Sequence, residues 1–252
     1  MEDDLLFQNE RIDDLQLNGM KIIQNPDMFC FGTDAVLLAD YASKAIRKNS
    51  TVIDLCSGNG IIPILLSQKS HAEKIIGIEI QKECADLAKR SVLLNKIEDK
   101  VEIICDDLKN SEQLFGKSKF DVVTCNPPYK EAGSGLINKS DPITIARHEI
   151  LCNLEDIIRV SSNILKPYGK LCMIHRPERL ADVLCLMRNY RIEPKRLRFI
   201  HPSINKVATM ILIEGAYLGK PKLFLDPPLY MYTSPGVYSD EIHTIYNRKK
   251  SE

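Results

Sequence analysis

The chain has 252 residues, is 44% hydrophobic, and balances 34 Lys and Arg against 34 Asp and Glu, so its formal net charge is zero. That length and apolar content suit one α/β domain with a short extension and exclude a disordered or strongly basic chain, so any nucleic-acid role must come from a local basic patch. No apolar run approaches the roughly 20 residues of a membrane span, and eight cysteines without one C-x-x-C pair point away from zinc and toward a reducing compartment, so a cytoplasmic protein is expected.

The first 14 residues hold six acids and one arginine and read as a surface lead-in. Leu15-Gln16-Leu17 and Met20–Ile23 flank Asn18-Gly19, a hairpin signal. Thr33 or Asp34 can cap a helix running to about Ala45, with Val36, Leu37, Leu38 and Tyr41 as anchors. Residues 1–45 therefore read as an extension packed on a core of residues 46–252.

The core alternates strands and helices. Strands are expected over Thr51–Cys56, Lys74–Ile80, Val101–Cys105, Phe120–Cys125 and Lys170–Ile174. Helices are expected over Ile61–Gln68, Lys82–Asn95, His148–Leu165 and Pro177–Tyr190, with Pro63 tolerated in a first turn. Two late strands follow, near Leu197–His201 and Ala208–Glu214, before a Pro- and Tyr-rich tail that wraps the domain. Cys56, Cys105, Cys125 and Cys172 lie in apolar strand runs and read as buried small hydrophobes. Five strands with helical crossovers and two joined by a short connection imply an α/β, mostly parallel, seven-stranded doubly wound sheet ending in an antiparallel hairpin. Ligands of such sheets bind at the carboxyl ends of the strands, where the candidate motifs fall.

Asp54-x-x-x-Gly58-x-Gly60 ends the first core strand and opens a helix. Its glycines allow positive φ and close approach of a ligand, but no third glycine completes a dinucleotide fingerprint. Glu79 ends the next strand about 20 residues on, where a carboxylate can accept both hydroxyls of a ribose. Asp107 follows the third strand, placed to accept from an adenine amino group while the Leu108 N–H donates to a ring nitrogen; Asp106 competes for that role. Asn126-Pro127-Pro128-Tyr129 follows the fourth strand.

This series resembles a Rossmann-like class I methyltransferase, which implies S-adenosylmethionine bound by Thr33, Asp54, Gly58, Gly60, Glu79, Ile80, Asp107, Leu108 and Asn126. By that resemblance Asp54 lies near the methionine amino group, the glycines lie beside the cofactor, and the helix start at Thr33 faces its carboxylate. Asn126, Pro127, Pro128 and Tyr129 are the expected catalytic set. The Asn126 side-chain oxygen and the Pro127 carbonyl would accept hydrogen bonds from a conjugated nitrogen, consecutive prolines fix that backbone, and Tyr129 would stack a base. Cys125 reads as strand core. No residue is assigned to a metal, His148, His175 and His201 included.

Phe31–Ala39 (FGTDAVLLA), Ala146-Arg147-His148-Glu149, His175–Leu180 and Pro227-Pro228-Leu229-Tyr230 resemble the bacterial tRNA(Val) adenine-N6 methyltransferases over roughly residues 15–232. The resemblance implies N6-methylation of an adenine in tRNA by a monomer. Lys166-Pro167-Tyr168-Gly169 departs from the usual Pro-Gly-Gly and reads as a turn variant. Arg188, Arg191, Lys195, Arg196, Arg198 and Lys206 face one acid, Glu193, and are the expected RNA patch, with Arg248-Lys249-Lys250 as a basic tail. The loop after Tyr129, with Lys130, Gly133, Gly135 and Lys139, is placed to close over substrate. Two other readings fit the core motifs: a protein-glutamine N-methyltransferase acting on a release factor, and a non-catalytic module of the same fold. A DNA adenine methyltransferase is a further reading, though no target-recognition domain of useful size is visible in the sequence.

Overall fold

The computed structural model describes residues 5–28, 30–127 and 153–247. Pro128, Tyr129, the loop from Lys130, His148, Cys152 and the basic tail lie outside the described residues. The chain opens with a hairpin of β1 (Arg11–Asp14) and β2 (Lys21–Gln24), paired Asp14↔Lys21. Its strands lie farther from Asn18-Gly19 than the two-residue turn signal implies. The intervening residues close on themselves instead, Leu15 N–H donating to the Met20 carbonyl and Met20 N–H to that of Leu17. Leu15 and Leu17 are thereby turned into the core.

Helix α1 (Thr33–Ser43) follows, then β3 (Thr51–Leu55), α2 (Ile61–Lys69), β4 (Lys74–Glu79), α3 (Lys82–Asn95) and β5 (Val101–Cys105). A 3-10 turn (Leu108–Asn110) and the short α4 (Ser111–Phe115), neither expected, lead to β6 (Phe120–Cys125). Helix α5 (Leu154–Ile164) starts later than the expected His148, because Asn153 adopts extended φ and ψ and its side chain accepts from Asp156 N–H at 2.8 Å, an N-cap. Strand β7 (Leu165–His175), a 3-10 turn (Pro177–Arg179), α6 (Leu180–Asn189), β8 (Ile192–His201) and β9 (Met210–Tyr217) complete the core.

The sheet runs β5-β4-β3-β6-β7-β9-β8, with β9 antiparallel to both neighbours and the rest parallel. That is the expected seven-stranded arrangement. The tail adds two short edge strands, β10 (Phe224–Leu225) and β11 (Leu229–Tyr230), both parallel to β8. A small hairpin, β12 (Tyr232–Ser234) and β13 (Val237–Tyr238), and helix α7 (Asp240–Ile245) then pack back, burying Met231, Ile242 and Ile245.

Alternation along the strands sends Val52, Val122 and Cys172 to one face and Ile53, Val123 and Met173 to the other. One face is covered by α1, α2, α3 and the hairpin, the other by α5 and α6. Each fully buried aliphatic chain contributes roughly 1.5–3 kcal/mol, so this two-sided core fixes the strand register and with it the position of every loop at the carboxyl rim. The hairpin is tied to α3 by Ser91 Oγ, which accepts from Ile23 N–H at 2.9 Å, and by Asn95, whose side chain meets both Lys21 N–H and its carbonyl. The Lys166–Gly169 departure is a bulge of β7 at the opposite, amino end of the sheet, with Tyr168 at φ 66° and exposed. Cys125 and Cys172 are buried as expected, but Cys56 is half-buried and Cys105 exposed, because both stand where a strand gives way to its loop.

Candidate active site

The crossover from β3 goes to β4 on one side, and β6 returns on the other, so the crevice opens between β3 and β6. Leu55 is paired with Cys125, which sets the Cys56–Gly60 turn directly beside Asn126 and Pro127. Asp54 braces that turn from beneath. It is fully buried, with Oδ2 accepting from Ser57 Oγ at 2.7 Å and Oδ1 from Thr124 Oγ1 at 2.6 Å. Burial pushes its carboxyl up to about 7 despite these two bonds. Both its oxygens are engaged within the protein, so Asp54 braces the loop in which the candidate glycines lie. Gly77 in β4 makes the arrangement possible, since a Cβ there would stand 2.6 Å from Ser57 Oγ.

The two glycines of the turn have different reasons. Gly58 has φ 54° and nothing within 4 Å of where a Cβ would lie, so it faces open space. Gly60 has φ 82°, and its Cβ would come 2.9 Å from that of Ala88 on α3. Glu79, buried at the end of β4, accepts from Gly58 N–H at 2.8 Å through one oxygen and from Gln81 N–H at 2.9 Å through the other. A carboxylate beside an open glycine turn, one strand over, suits a nucleoside's vicinal hydroxyls. Farther along, Asp107 Oδ1 caps the 3-10 turn by accepting from Lys109 N–H at 2.9 Å, and Leu108 is buried beneath. Asp106 Oδ1 is taken by Asp107 N–H and by Asn110. Ile80 follows Glu79 at the same rim, half-buried.

Asn126 lies directly after β6, half-buried, and its Nδ2 donates to Asp34 Oδ2 of α1 at 3.0 Å. Thr33 is the first residue of α1 and not its cap: Gly32 occupies the N-cap position and no side chain caps the helix. The Thr33 hydroxyl makes no hydrogen bond among the described residues, and it stands at the electropositive end of an 11-residue helix. Gln24, buried in β2, accepts from Phe31 N–H at 3.1 Å and from Asn59 at 3.5 Å, linking the hairpin, the start of α1 and the glycine turn. His175 ends β7, where desolvation lowers its imidazole to about 4, so it is neutral at physiological pH. Gln24, Asp34, Ser57, Gly77 and Thr124 were not singled out as site residues from sequence, and only Asp34 carried a signal, its place in Phe31–Ala39.

The expected basic patch is not one patch. Strand β8 spans 10 residues, ~33 Å at ~3.3 Å per residue, so Arg188, Arg191 and Lys195 lie toward the amino end of the sheet, and Lys206 beyond its carboxyl end. Arg196 is drawn into the protein by Asp226 at 2.6 Å and Glu214 at 3.4 Å, with its guanidinium 4.9 Å over the Tyr41 ring. Arg198 is held by Glu241 at 2.7 Å and the Pro227 carbonyl at 2.8 Å. Arg188 pairs with Glu193 at 2.8 Å. Lys206 sits on the same rim as Asn126, between exposed Ile204 and Val207.

Sheet order, the glycine turn after β3, the carboxylate after β4 and Asn-Pro-Pro after β6 together define a class I methyltransferase. Residues 19–189 match the family model described as methyltransferase small domain, and the chain belongs to that family. A tRNA1(Val) (adenine(37)-N6)-methyltransferase from Porphyromonas gingivalis is 32% identical over 187 residues, covering 73% of this chain and 72% of its own. One of the same name from Aeromonas hydrophila is 24% identical over 212 residues, covering 83% and 85%. Among solved structures, a predicted O-methyltransferase from Agrobacterium tumefaciens superposes with TM-score 0.68 at 24% identity, over 85% of this chain and 95% of its own. Geranyl diphosphate C-methyltransferase from Streptomyces coelicolor, solved with S-adenosyl-L-homocysteine, gives 0.53 at 13%, over 72% and 78%. These two likenesses establish the fold. No helix among the described residues is long and apolar enough to cross a membrane.

Proposed function

We propose that this enzyme methylates the exocyclic N6 of an adenine in tRNA, using S-adenosylmethionine. The observation that carries the reading is the juxtaposition, through the Leu55–Cys125 pairing, of an open glycine turn with Asn126-Pro127 at one strand end. The names of the relatives from Porphyromonas and Aeromonas support adenine and tRNA as the acceptor. The residues fit the cofactor: Gly58 leaves space, Glu79 would accept from the ribose, Asp107 and the Leu108 N–H would bracket an adenine edge, and the start of α1 at Thr33 suits a carboxylate.

When bound, S-adenosylmethionine supplies an electrophilic methyl group on a positively charged sulfur. The protein's part is to make a delocalised nitrogen lone pair available. The Asn126 Oδ1 and the Pro127 carbonyl accept from the two N–H bonds of the amine, favouring a tetrahedral nitrogen with its lone pair aimed at the methyl. These acceptors are fixed before the reaction, so they stabilise charge as it develops without reorganising. The proton leaves only after nitrogen becomes cationic, so no strong base is needed. Alignment of the reacting atoms supplies much of the remaining gain. Tyr129, outside the described residues, has the role of stacking the extruded base. Of the basic residues, Lys206 is the one we place against RNA, since it shares the rim with Asn126.

The test is mass spectrometry of modified nucleosides in tRNA from cells with and without the gene, paired with transfer to purified tRNA in vitro. N6-methyladenosine that depends on the gene is expected. Methylation of a release factor and of no RNA would replace this reading with glutamine as acceptor. Asn126→Ala should lower transfer by about two to three orders of magnitude, the cost of losing one preorganised hydrogen-bonding group, with cofactor binding retained. Full activity would remove Asn126 from its role.

A further inference from the structure

A primary amide has two nearly isosteric ends, and only one of them is useful against an amine that must donate. Asn126 therefore works as an acceptor only if something decides which end faces the substrate. Its Nδ2 lies 3.0 Å from Asp34 Oδ2. A carboxylate has lone pairs and no hydrogens, so it accepts from the amide N–H and repels the amide oxygen. With Nδ2 turned to Asp34, Oδ1 is turned the other way.

Asp34 is itself in the first turn of α1, where the helix end favours a negative charge. Gly32 explains why it can fold back. Its φ of −105° and ψ of −178° are extended values that any residue adopts, so the glycine is not there for its backbone. A Cβ at position 32, however, would stand 2.7 Å from Asp34 Oδ1. The missing side chain is the space the carboxylate occupies.

We propose that Asp34 is a positioning residue that fixes the orientation of the Asn126 amide, and that Gly32 is required because it admits the Asp34 carboxylate. The inference rests on the reading of Asn126 as the acceptor for the substrate amine. Asp34 touches no reacting atom; it acts through Asn126.

The experiment uses the full chain with Asp34→Asn, Gly32→Ala, Asn126→Ala and the double variant Asp34→Asn/Asn126→Ala. The direct readout is the Asn126 side-chain NH2 signal in nitrogen-15 NMR spectra, assigned by its loss in Asn126→Ala. A shifted NH2 pair that exchanges faster with solvent is expected in both Asp34→Asn and Gly32→Ala. In tRNA methylation, kcat should fall about 10–100-fold for each, the range seen when the partner behind a first ligand is removed, with KM for the cofactor nearly unchanged. The double variant should be no slower than Asn126→Ala alone, because a residue acting only through Asn126 has nothing further to lose. Unchanged amide signals in Asp34→Asn, or losses that multiply in the double variant, would overturn the proposal. Should no RNA be methylated by the wild type, the function proposed above fails, and the NMR comparison alone then decides this one. Gly32→Ala keeps the inference open to refutation if Asp34→Asn does not fold.

Discussion

Asp54→Asn is the sharpest test of how far burial shifts the carboxyl that braces the glycine turn. In the folded protein burial raises this carboxyl from 3.8 to about 7, while in the unfolded chain it titrates near its ordinary value. Between those limits the folded state holds a proton that the unfolded state has released. Stability contributed by that proton is full below about pH 4, falls as pH rises through the window, and levels off above about 7. Across the whole window the loss is about 4 kcal/mol, from ~3 pH units at 1.36 kcal/mol each, and between pH 5 and 8 it is roughly 2.5 kcal/mol. Asparagine cannot titrate, yet it can accept from one of Ser57 and Thr124 while the other hydroxyl turns to accept from its NH2. His175, lowered to about 4 by desolvation, works in the opposite sense, adding stability as pH rises from about 4 to 6.5. That contribution is common to both proteins and cancels in their difference. Urea unfolding of wild type and Asp54→Asn from pH 5 to 8 should show the variant gaining roughly 2–3 kcal/mol relative to wild type. A difference constant to within about 0.5 kcal/mol across that range would mean that Asp54 is already ionised in the fold, and the upward shift assigned to burial would fall, while its two hydrogen bonds would stand.

Gly60→Ala should cost roughly 2–4 kcal/mol in thermal or urea unfolding, from positive φ and the clash with Ala88 together. Gly58→Ala should cost only about 1 kcal/mol and weaken binding of S-adenosylhomocysteine in calorimetry instead, since its Cβ meets only open space; equal stability losses for the two would contradict their separate roles. Glu79→Gln should weaken that same binding about tenfold, the value of one charge-assisted hydrogen bond, and unchanged affinity would take the ribose away from Glu79. Arg196→Glu should destabilise the fold by roughly 1–3 kcal/mol by breaking its contacts with Asp226 and Glu214. Lys206→Glu should leave stability unchanged and flatten the salt dependence of RNA binding by about one ion; a flatter slope in Arg188→Glu instead would move RNA to the far end of the sheet.

The core strands and their carboxyl-end motifs were legible because burial on two faces leaves mostly apolar runs, as in Val52–Leu55 and Phe120–Cys125, interrupted only by Asp54, Asp121 and Thr124, and because the breaks between runs carry Gly, Pro and acids. The hairpin was legible in kind but not in extent. Asn18-Gly19 signals a tight turn, whereas the burial of Leu15 and Leu17 takes those residues out of the ladder and starts the strands at Asp14 and Lys21. The basic stretch misled for a related reason. Charge counted along a sequence ignores which residues a strand carries to opposite ends of a sheet, and ignores acids such as Asp226 and Glu241 that arrive from distant segments to neutralise Arg196 and Arg198.

The glycines show the same limit at the scale of one atom. In sequence, Gly58 and Gly60 mark a turn by their spacing, Gly32 stands only as one letter of Phe31–Ala39 and Gly77 carries no motif, yet all four lie at the candidate site. At Gly58 the chain needs a left-handed backbone facing a space; at Gly60 it needs that backbone and closeness to α3. At Gly77 and Gly32 the backbone is ordinary, and what matters is the volume released, to Ser57 in one case and to the Asp34 carboxylate in the other. Spacing rules find the first kind because a turn has a fixed length. They miss the second because the side chain that uses the space comes from another strand, as at Gly77, or from a residue two positions on that folds back, as at Gly32. The amide proposed as catalytic and the glycine turn beside it thus depend on absences that become visible only when the neighbouring elements are in place.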